Sequence, residues 1–264
     1  MTFLQDVLTV ASGGLVGFSL GLVGGGGSVL AVPLLVYLVG VPDAHVAIGT
    51  SAFAVAANAA VNLFSHWRTG NVKFRCAITY ALFGIVGAAI GSTVGKAVDG
   101  DRLLALFGLV MIVIAISMGR KPASAGAPDV HLDAATAGHL VPRLGAAALA
   151  TGFLSGVFGI GGGFLIVPGL VMATGMPLIN AISSSLVSVT SFGATTAANY
   201  AISGLVDWWV AALLLLGGAV GGYAGVKIAG HLAGKRKALS LVFAAIVGVV
   251  GLYVVWRGLG SLFA

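Results

Sequence analysis

The chain has 264 residues, of which 59% are hydrophobic and 8% are charged. Because soluble domains carry about 25% charged residues, this composition excludes an ordinary soluble domain and predicts an integral membrane protein. The net charge of +6 is typical of basic cytoplasmic loops, and without interleaved basic and aromatic residues it does not indicate a nucleic-acid partner.

In chain order, the first half begins with a short lead, residues 1–12, and an apolar segment broken by glycines, residues 13–39. Three apolar spans follow, at about 44–66, 76–96 and 103–118. The polar stretch 119–143 predicts a linker between a first membrane repeat, 1–118, and a second, 144–264. That second half repeats the order, with a broken segment at about 144–175 and spans at about 178–203, 208–230 and 238–256.

The two broken segments are copies of one pattern, in which a glycine run interrupts an apolar stretch that continues to a proline. The prolines, Pro33 and Pro168, are 135 residues apart. Glycine costs a helix interior about 1 kcal/mol per residue relative to alanine, so each segment predicts two half-helices that meet at a non-helical elbow. Glycines at helical spacing in the later spans, such as Gly84 to Gly95 and Gly218 to Gly225, predict close helix packing.

Loop charges predict the topology. Loop 67–75 has three basic residues and no acid, which places it inside, whereas its counterpart 204–207 holds only Asp207 and belongs outside. Equivalent loops on opposite sides indicate inverted repeats. The basic linker is then cytoplasmic and both termini are outside. With three spans per half, each broken segment crosses zero or two times, and about 27 residues give roughly 40 Å of helix. We therefore expect a hairpin of two half-helices.

The expected fold is thus all-α and polytopic: two inverted-topology repeats, each a glycine-broken half-helix hairpin plus three transmembrane helices. Inverted repeats of this kind build many transporters and place the substrate near the midplane. The bacterial cytoplasmic (inner) membrane is the expected location, with the lipid bilayer as partner. The oligomeric state stays open, a homodimer included.

The elbows are the first candidate binding site. Non-helical backbone at membrane depth is tolerated only inside the protein or beside a water-filled cavity, and the half-helix that follows each elbow directs N–H groups and its positive dipole end at it. Such a site binds anions without a charged side chain. The alternative is that the glycines serve packing alone. The candidate residues are Gly24, Gly25, Gly26, Gly27, Ser28, Gly159, Gly161, Gly162 and Gly163.

Polar residues on the span after each elbow are the second candidate. Hydroxyls and amides can donate to anion oxygens, although Ser and Thr in membranes also bond neighbouring helices. The candidates are Thr50, Ser51, Asn58, Ser184 and Ser185. His66 and Arg68 end the first such span, where they could form a pore mouth that gathers anions or simply anchor the helix at the interface.

Other chemistry finds no support in the sequence. One cysteine, Cys76, excludes an internal disulfide and a multi-cysteine metal site, and no two histidines share ligand spacing on one span. We therefore expect no metal, no cofactor and no catalytic residues. No Asp or Glu lies in the middle of a predicted span, where proton- and sodium-coupled transporters often place one.

The repeated elbow, Gly24 to Pro33 and Gly159 to Pro168, resembles the TauE/SafE family of sulfite exporters, with Thr50-Ser51 and Ser184-Ser185 in support. The second elbow departs from the first in having Ile160 where the first has Gly25. The resemblance covers the chain outside the linker and implies a small anionic substrate such as sulfite, sulfoacetate or a related organosulfonate, moved outward.

Two other classes stay open. A permease for a metal cation or a neutral sulfur compound would need carboxylate, Cys or His ligands that the spans lack. A non-transport membrane protein, either an enzyme or a structural subunit, is the remaining alternative.

Overall fold

The computed structural model describes residues 2–23, 25–68, 70–120, 134–231 and 236–262, and these ranges contain helices and short connections without a strand. Between residues 25 and 39 the chain forms a 3₁₀ turn (Gly25–Leu30), a single α-helical turn (Ala31–Pro33) and a π-helical turn (Leu34–Val39). The α-helices are α1 (Phe3–Val23), α2 (Ala31–Pro33), α3 (Ala44–Arg68), α4 (Phe74–Ala97), α5 (Gly100–Arg120), α6 (Ala134–Phe158), α7 (Gly163–Thr174), α8 (Leu178–Ile202), α9 (Trp208–His231) and α10 (Arg236–Leu262).

Six of the described helices are long and apolar enough to cross a membrane: α1, α3, α4, α6, α8 and α9. The spans predicted at 44–66, 76–96 and 178–203 match α3, α4 and α8 to within a few residues. Those predicted at 103–118, 208–230 and 238–256 likewise lie within α5, α9 and α10. The prediction of an all-α polytopic membrane protein is therefore confirmed.

The hairpins differ from the expected pairs of half-helices. Helix α1 already begins at Phe3, so most of the predicted lead is helical, and α6 begins at Ala134, inside the range 119–143. Both first arms are long enough to span a membrane, while the return arms, 25–39 and α7, are short. The first arm of the first hairpin is longer than a half-helix because α1 begins at Phe3, in a weakly polar stretch whose one acid is Asp6.

Glycines hold two helix pairs in close parallel contact. Gly13, Gly17 and Gly21 of α1 meet Leu214, Gly218 and Gly222 of α9 in the same chain order. In the same way, α6 runs parallel to α4, since Gly152 meets Gly84 and Gly156 meets Ala88. Backbone meets backbone at these points, which confirms the predicted role of the glycine ladders in packing.

Two further pairs are antiparallel. Along α3 and α8, Gly49 meets Tyr200, Ala56 meets Gly193 and His66 meets Ser183. Along α5 and α10, Gly108 meets Gly251 and Val255, and Ala105 meets Gly258. Helices α3 and α9 are parallel, because Asn58 and Asn62 lie against Gly218 and Gly222.

These directions give the bundle two chemically different ends. The aspartate end holds Asp43, Asp99 and Asp207, and the basic end holds Arg68 and Lys73. Helices α1, α3, α5 and α9 run from the aspartate end to the basic end, and α4, α6, α8 and α10 run back. The helices at corresponding positions before and after residue 134 therefore point in opposite directions.

Candidate functional site

The second elbow joins α6 to α7 through residues 159–162. Gly159, Gly161 and Gly162 have φ values of +65°, +65° and +69°, in the left-handed region that glycine adopts without a steric cost. The chain reverses here within four residues, which a run of L-residues with side chains would not allow without strain.

This elbow lies at mid-depth in the helix bundle. A Cβ atom on Gly161 would approach the side chains of Val55 and Val189 at 2.9 and 3.1 Å. Val55 is close to the centre of α3, and Val189 is close to the centre of α8. All four elbow residues are buried. Non-helical backbone is thus enclosed by protein at the depth where a transporter of this architecture binds its substrate.

The elbow faces the start of α7. Gly162 accepts the first backbone hydrogen bonds of α7, from Leu165 at 2.8 Å and Ile166 at 2.9 Å. The N–H groups that precede these have no partner within a helix, and the positive end of the helix dipole lies there. Ser155 of α6 adds a hydroxyl: it is fully buried and without a hydrogen-bond partner in the described part of the chain, and its Oγ lies 3.0 Å from where a Cβ on Gly162 would be.

The first elbow is described only from Gly25 onward. Gly24 lies outside the described residues, and the side-chain surroundings of Gly25 and Gly26 are likewise outside the description. Gly27 packs closely on Ser19 and Leu20 of α1, and Ser28 is fully buried. The turn that contains them touches α7, so the first elbow meets the helix that follows the second elbow.

Ser51 on α3 and Ser185 on α8 are 134 residues apart and occupy equivalent positions in the two halves. Ser51 donates to the carbonyl oxygen of Ile48 at 2.9 Å and lies 3.4 Å from that of Gly159 in the second elbow. Ser185 donates to the carbonyl oxygen of Ile182 at 2.8 Å. Both are fully buried. Ser51 therefore reaches the second elbow directly.

The other three polar candidates contact neighbouring segments. Thr50 Oγ1 accepts from the backbone N–H of Asp207 at 3.0 Å, and Ser184 Oγ accepts from that of Lys73 at 2.9 Å. Asn58 is buried at the α3–α9 contact, with its amide against Gly218. These three contacts agree with the alternative of bonding and packing between helices; a hydroxyl that accepts can still donate its own proton.

His66 and Arg68 are at the basic end of α3. The Nδ1 atom of His66 lies 3.0 Å from Ser183 Oγ, and the guanidinium of Arg68 lies 5.3 Å from the ring centroid of Phe64. The structure thus brings His66 onto α8 inside the bundle and leaves Arg68 exposed at its edge.

Lys96, Asn199 and Ser203 form a polar cluster at the aspartate end. Lys96 Nζ donates to Asn199 Oδ1 at 2.6 Å, to the Asn199 carbonyl oxygen at 3.1 Å and to Ser203 Oγ at 2.8 Å. Lys96 thereby caps the C-terminal turn of α8. The ladder of glycines on α4 gave no signal for this contact.

A cavity of about 870 Å³ opens at the same end. It lies among the 34–39 turn and the ends of α3, α5 and α10, and its lining includes Asp43, His45, Asp101 and Arg257. His45 stacks on Tyr200, with ring centroids 6.5 Å apart. Neither the cavity nor the position of Tyr200 could be found from a pattern, because both depend on which helices pack together.

Comparison with known proteins identifies the family. The model of the family described as "Sulfite exporter TauE/SafE" matches residues 9–254. A "Probable membrane transporter protein" of Xylella fastidiosa (strain 9a5c) is 49% identical over 264 residues, covering the whole of both chains. Another, of Methanocaldococcus jannaschii, is 30% identical over 259 residues, covering 90% of this chain and 92% of the relative.

A third relative, from Bacillus subtilis (strain 168), has a similar name and is 26% identical over 281 residues, covering 98% of this chain and 100% of the relative. No solved structure matches the chain. The matched region contains both elbows and all the helices that surround them, so the chain belongs to the TauE/SafE sulfite exporter family of membrane transport proteins.

Proposed function

We propose that this protein transports a small sulfur oxyanion or organosulfonate, such as sulfite or sulfoacetate, and binds it at mid-depth against the glycine elbows. The observation that carries the proposal is the second elbow: the N-terminus of α7, opened by left-handed glycines, is enclosed between α3 and α8 beside the unpartnered hydroxyl of Ser155. Backbone N–H groups and a hydroxyl can donate hydrogen bonds to anion oxygens, and the positive end of a helix dipole favours negative charge.

The proposed site consists of both elbows and the hydroxyls next to them. Gly161, Gly162 and Gly163 would supply the N–H groups, with Ser51 and Ser155 at the edge. The first elbow, Gly24 to Ser28, would be its counterpart. Thr50, Asn58, Ser184 and Ser185 would shape the walls, and His66 with Arg68 would form the mouth at the basic end.

The proposed orientation follows the positive-inside rule. The basic end, with Arg68, Lys73 and Arg75, would face the cytoplasm, and the aspartate end would face outward with both termini. The two halves would then be inverted repeats in the inner membrane, and export would run from the basic end to the aspartate end.

A pair of glycine variants tests the site. Gly162 and Gly175 have similar φ values, +69° and +72°, but a Cβ on Gly162 would approach Ser155 Cβ at 2.9 Å whereas one on Gly175 would meet nothing within 4 Å. Both Gly162→Ala and Gly175→Ala therefore incur backbone strain, and only the first places a methyl group in the elbow.

The measurement is calorimetric binding of sulfite, sulfoacetate, taurine and sulfate to purified protein, together with a melting curve for each variant. We expect Gly162→Ala to lose binding and Gly175→Ala to retain it at comparable stability. Equal binding by the two variants would contradict the proposal and leave the glycines with a packing role.

A further inference from the structure

Buried hydroxyls without a hydrogen-bond partner are concentrated on α6 and α8, two helices whose residues contact the second elbow. Of the five in the described part of the chain, Ser12 lies on α1, and the others lie on α6 and α8. Those four are Ser155, Ser188, Thr196 and Tyr200. An orphaned buried hydroxyl destabilises a fold, so such a concentration calls for a reason other than stability.

Two of these hydroxyls continue along α8 from the elbow. Val189 contacts Gly161 in the elbow. Thr196 is seven residues further on, which is about 10 Å along a helix and on the same face. Tyr200 follows after four more residues, again one turn along that face. Together with Ser155, the hydroxyls thus form a row from mid-depth towards the aspartate end.

Tyr200 stands between the elbow and the aspartate-end cavity. Its buried ring packs on Gly49 of α3, and it stacks on His45, which lines the cavity. Its hydroxyl lies 3.2 Å from the Cβ position of Gly95 on α4, beside the last turn of α6. Lys96 Nζ is 5.9 Å from the ring centroid, so a lysine amine lies over the ring of Tyr200.

We propose that the hydroxyls of Ser155, Thr196 and Tyr200 donate in succession to the anion as it moves between the second elbow and the aspartate-end cavity. The inference rests on the proposed anion transport. It adds the part of the path between the second elbow and the aspartate end, which the elbows alone do not define. The corresponding residues of the first half, Leu20, Asn62 and His66, give the basic end a different chemistry.

Hydroxyl-deleting variants of nearly unchanged shape test this path. Tyr200→Phe and Thr196→Val remove an unpartnered hydroxyl, so neither should lower the melting temperature. The matched controls are Tyr80→Phe and Thr195→Val. Tyr80 is equally buried, and its hydroxyl pairs with Thr151 Oγ1 at 2.8 Å, while Thr195 bonds back to Ser191 within α8.

Each variant is reconstituted into vesicles, and sulfite and sulfoacetate uptake is measured beside a melting curve in detergent. We expect Tyr200→Phe and Thr196→Val to melt at or above the temperature of the parent and to raise the KM for at least one anion about tenfold, the effect of one hydrogen bond to a charged group. Tyr80→Phe should melt lower with an unchanged KM, and Thr195→Val should leave the KM unchanged.

Two results would overturn the inference. One is an unchanged KM in both Tyr200→Phe and Thr196→Val. The other is a KM that rises only in variants whose melting temperature falls. If either variant fails to insert, Thr196→Cys in a Cys76→Ser background replaces it, and sulfoacetate should slow its reaction with N-ethylmaleimide. Normal KM values combined with loss of binding in Gly162→Ala would refute this path and leave the elbow site intact, whereas normal binding in Gly162→Ala would refute the elbow itself.

Discussion

The hydroxyl of Thr50 accepts a hydrogen bond from the backbone N–H of Asp207 at 3.0 Å. The same contact occurs a second time, between the two residues that the repeat offset of 134 pairs with these. There, the hydroxyl of Ser184 accepts from the backbone N–H of Lys73 at 2.9 Å. The first bond links the start of α3 to the loop after α8. The second links the start of α8, the corresponding helix of the other half, to the loop after α3. The two halves are therefore fastened to each other at both ends by the same chemistry.

This relationship predicts that Thr50→Val destabilises the fold. The side chain of Thr50 is buried, and the substitution keeps its volume while leaving the N–H of Asp207 without its partner, at a cost of about 1–3 kcal/mol. Thr195→Val is the control, because that hydroxyl bonds only within its own helix. A melting curve in detergent should show a clear loss for Thr50→Val relative to Thr195→Val; equal melting temperatures would show that the bond contributes nothing.

The helices and their packing were largely predictable, because apolar length and glycine spacing are local properties of the sequence. Gly84 and Gly91 could be recognised as contact residues from their spacing alone. The length of the first hairpin arms could not be predicted, because residues 2–12 are less apolar than a typical span. Helix α1 extends into this part of the chain, where it packs against α9.

The candidate site was predictable only where it depends on backbone. The glycines of the second elbow carry left-handed φ values that the sequence signalled through residue type. Ser155 and Tyr200 were missed because nothing in their neighbouring residues distinguishes a hydroxyl with a partner from one without. Conversely, Thr50 and Ser184 were chosen for their repeat positions, and those positions also explain their bonds to the loops.

The close contact of α1 with α9 makes a second stability prediction. A Cβ on Gly17 would overlap the backbone of Gly218, and forcing apart two packed helices costs about 1–3 kcal/mol or more. On α6, Gly138 has nothing within 4 Å of its Cβ position. We expect Gly17→Ala to reduce the yield of monodisperse protein and Gly138→Ala to leave it unchanged or slightly raised. Similar yields for both would contradict the observed contact.

The proposed orientation can be tested by cysteine labelling in a Cys76→Ser background. Thr2 is exposed at the aspartate end, and Thr136 is exposed at the start of α6, at the basic end. An impermeant maleimide added to intact cells should label Thr2→Cys at once and Thr136→Cys only after permeabilisation. The reverse pattern would place the basic end outside and invert the proposed direction of export.

The last prediction concerns the energy source for transport. The described membrane-spanning helices have no carboxylate in their central turns, where proton- and sodium-coupled transporters often place one, and we predict transport driven by the membrane potential alone. An inside-negative potential already favours exit of an anion by about 2.3 kcal/mol per charge per 100 mV. That corresponds to a gradient of about 50-fold for a monovalent anion, enough for facilitated diffusion to clear it from a cell.

Reconstituted vesicles with a potassium-set potential and equal pH on both sides test this directly. Sulfoacetate flux should follow the potential, reverse when its sign is reversed, and persist without sodium. A proton could still enter with the substrate or through His66, and His66→Gln separates these routes, because flux driven by the potential alone should survive that change. Flux that ignores the potential and requires a pH or sodium gradient would show that the protein couples transport to a second ion.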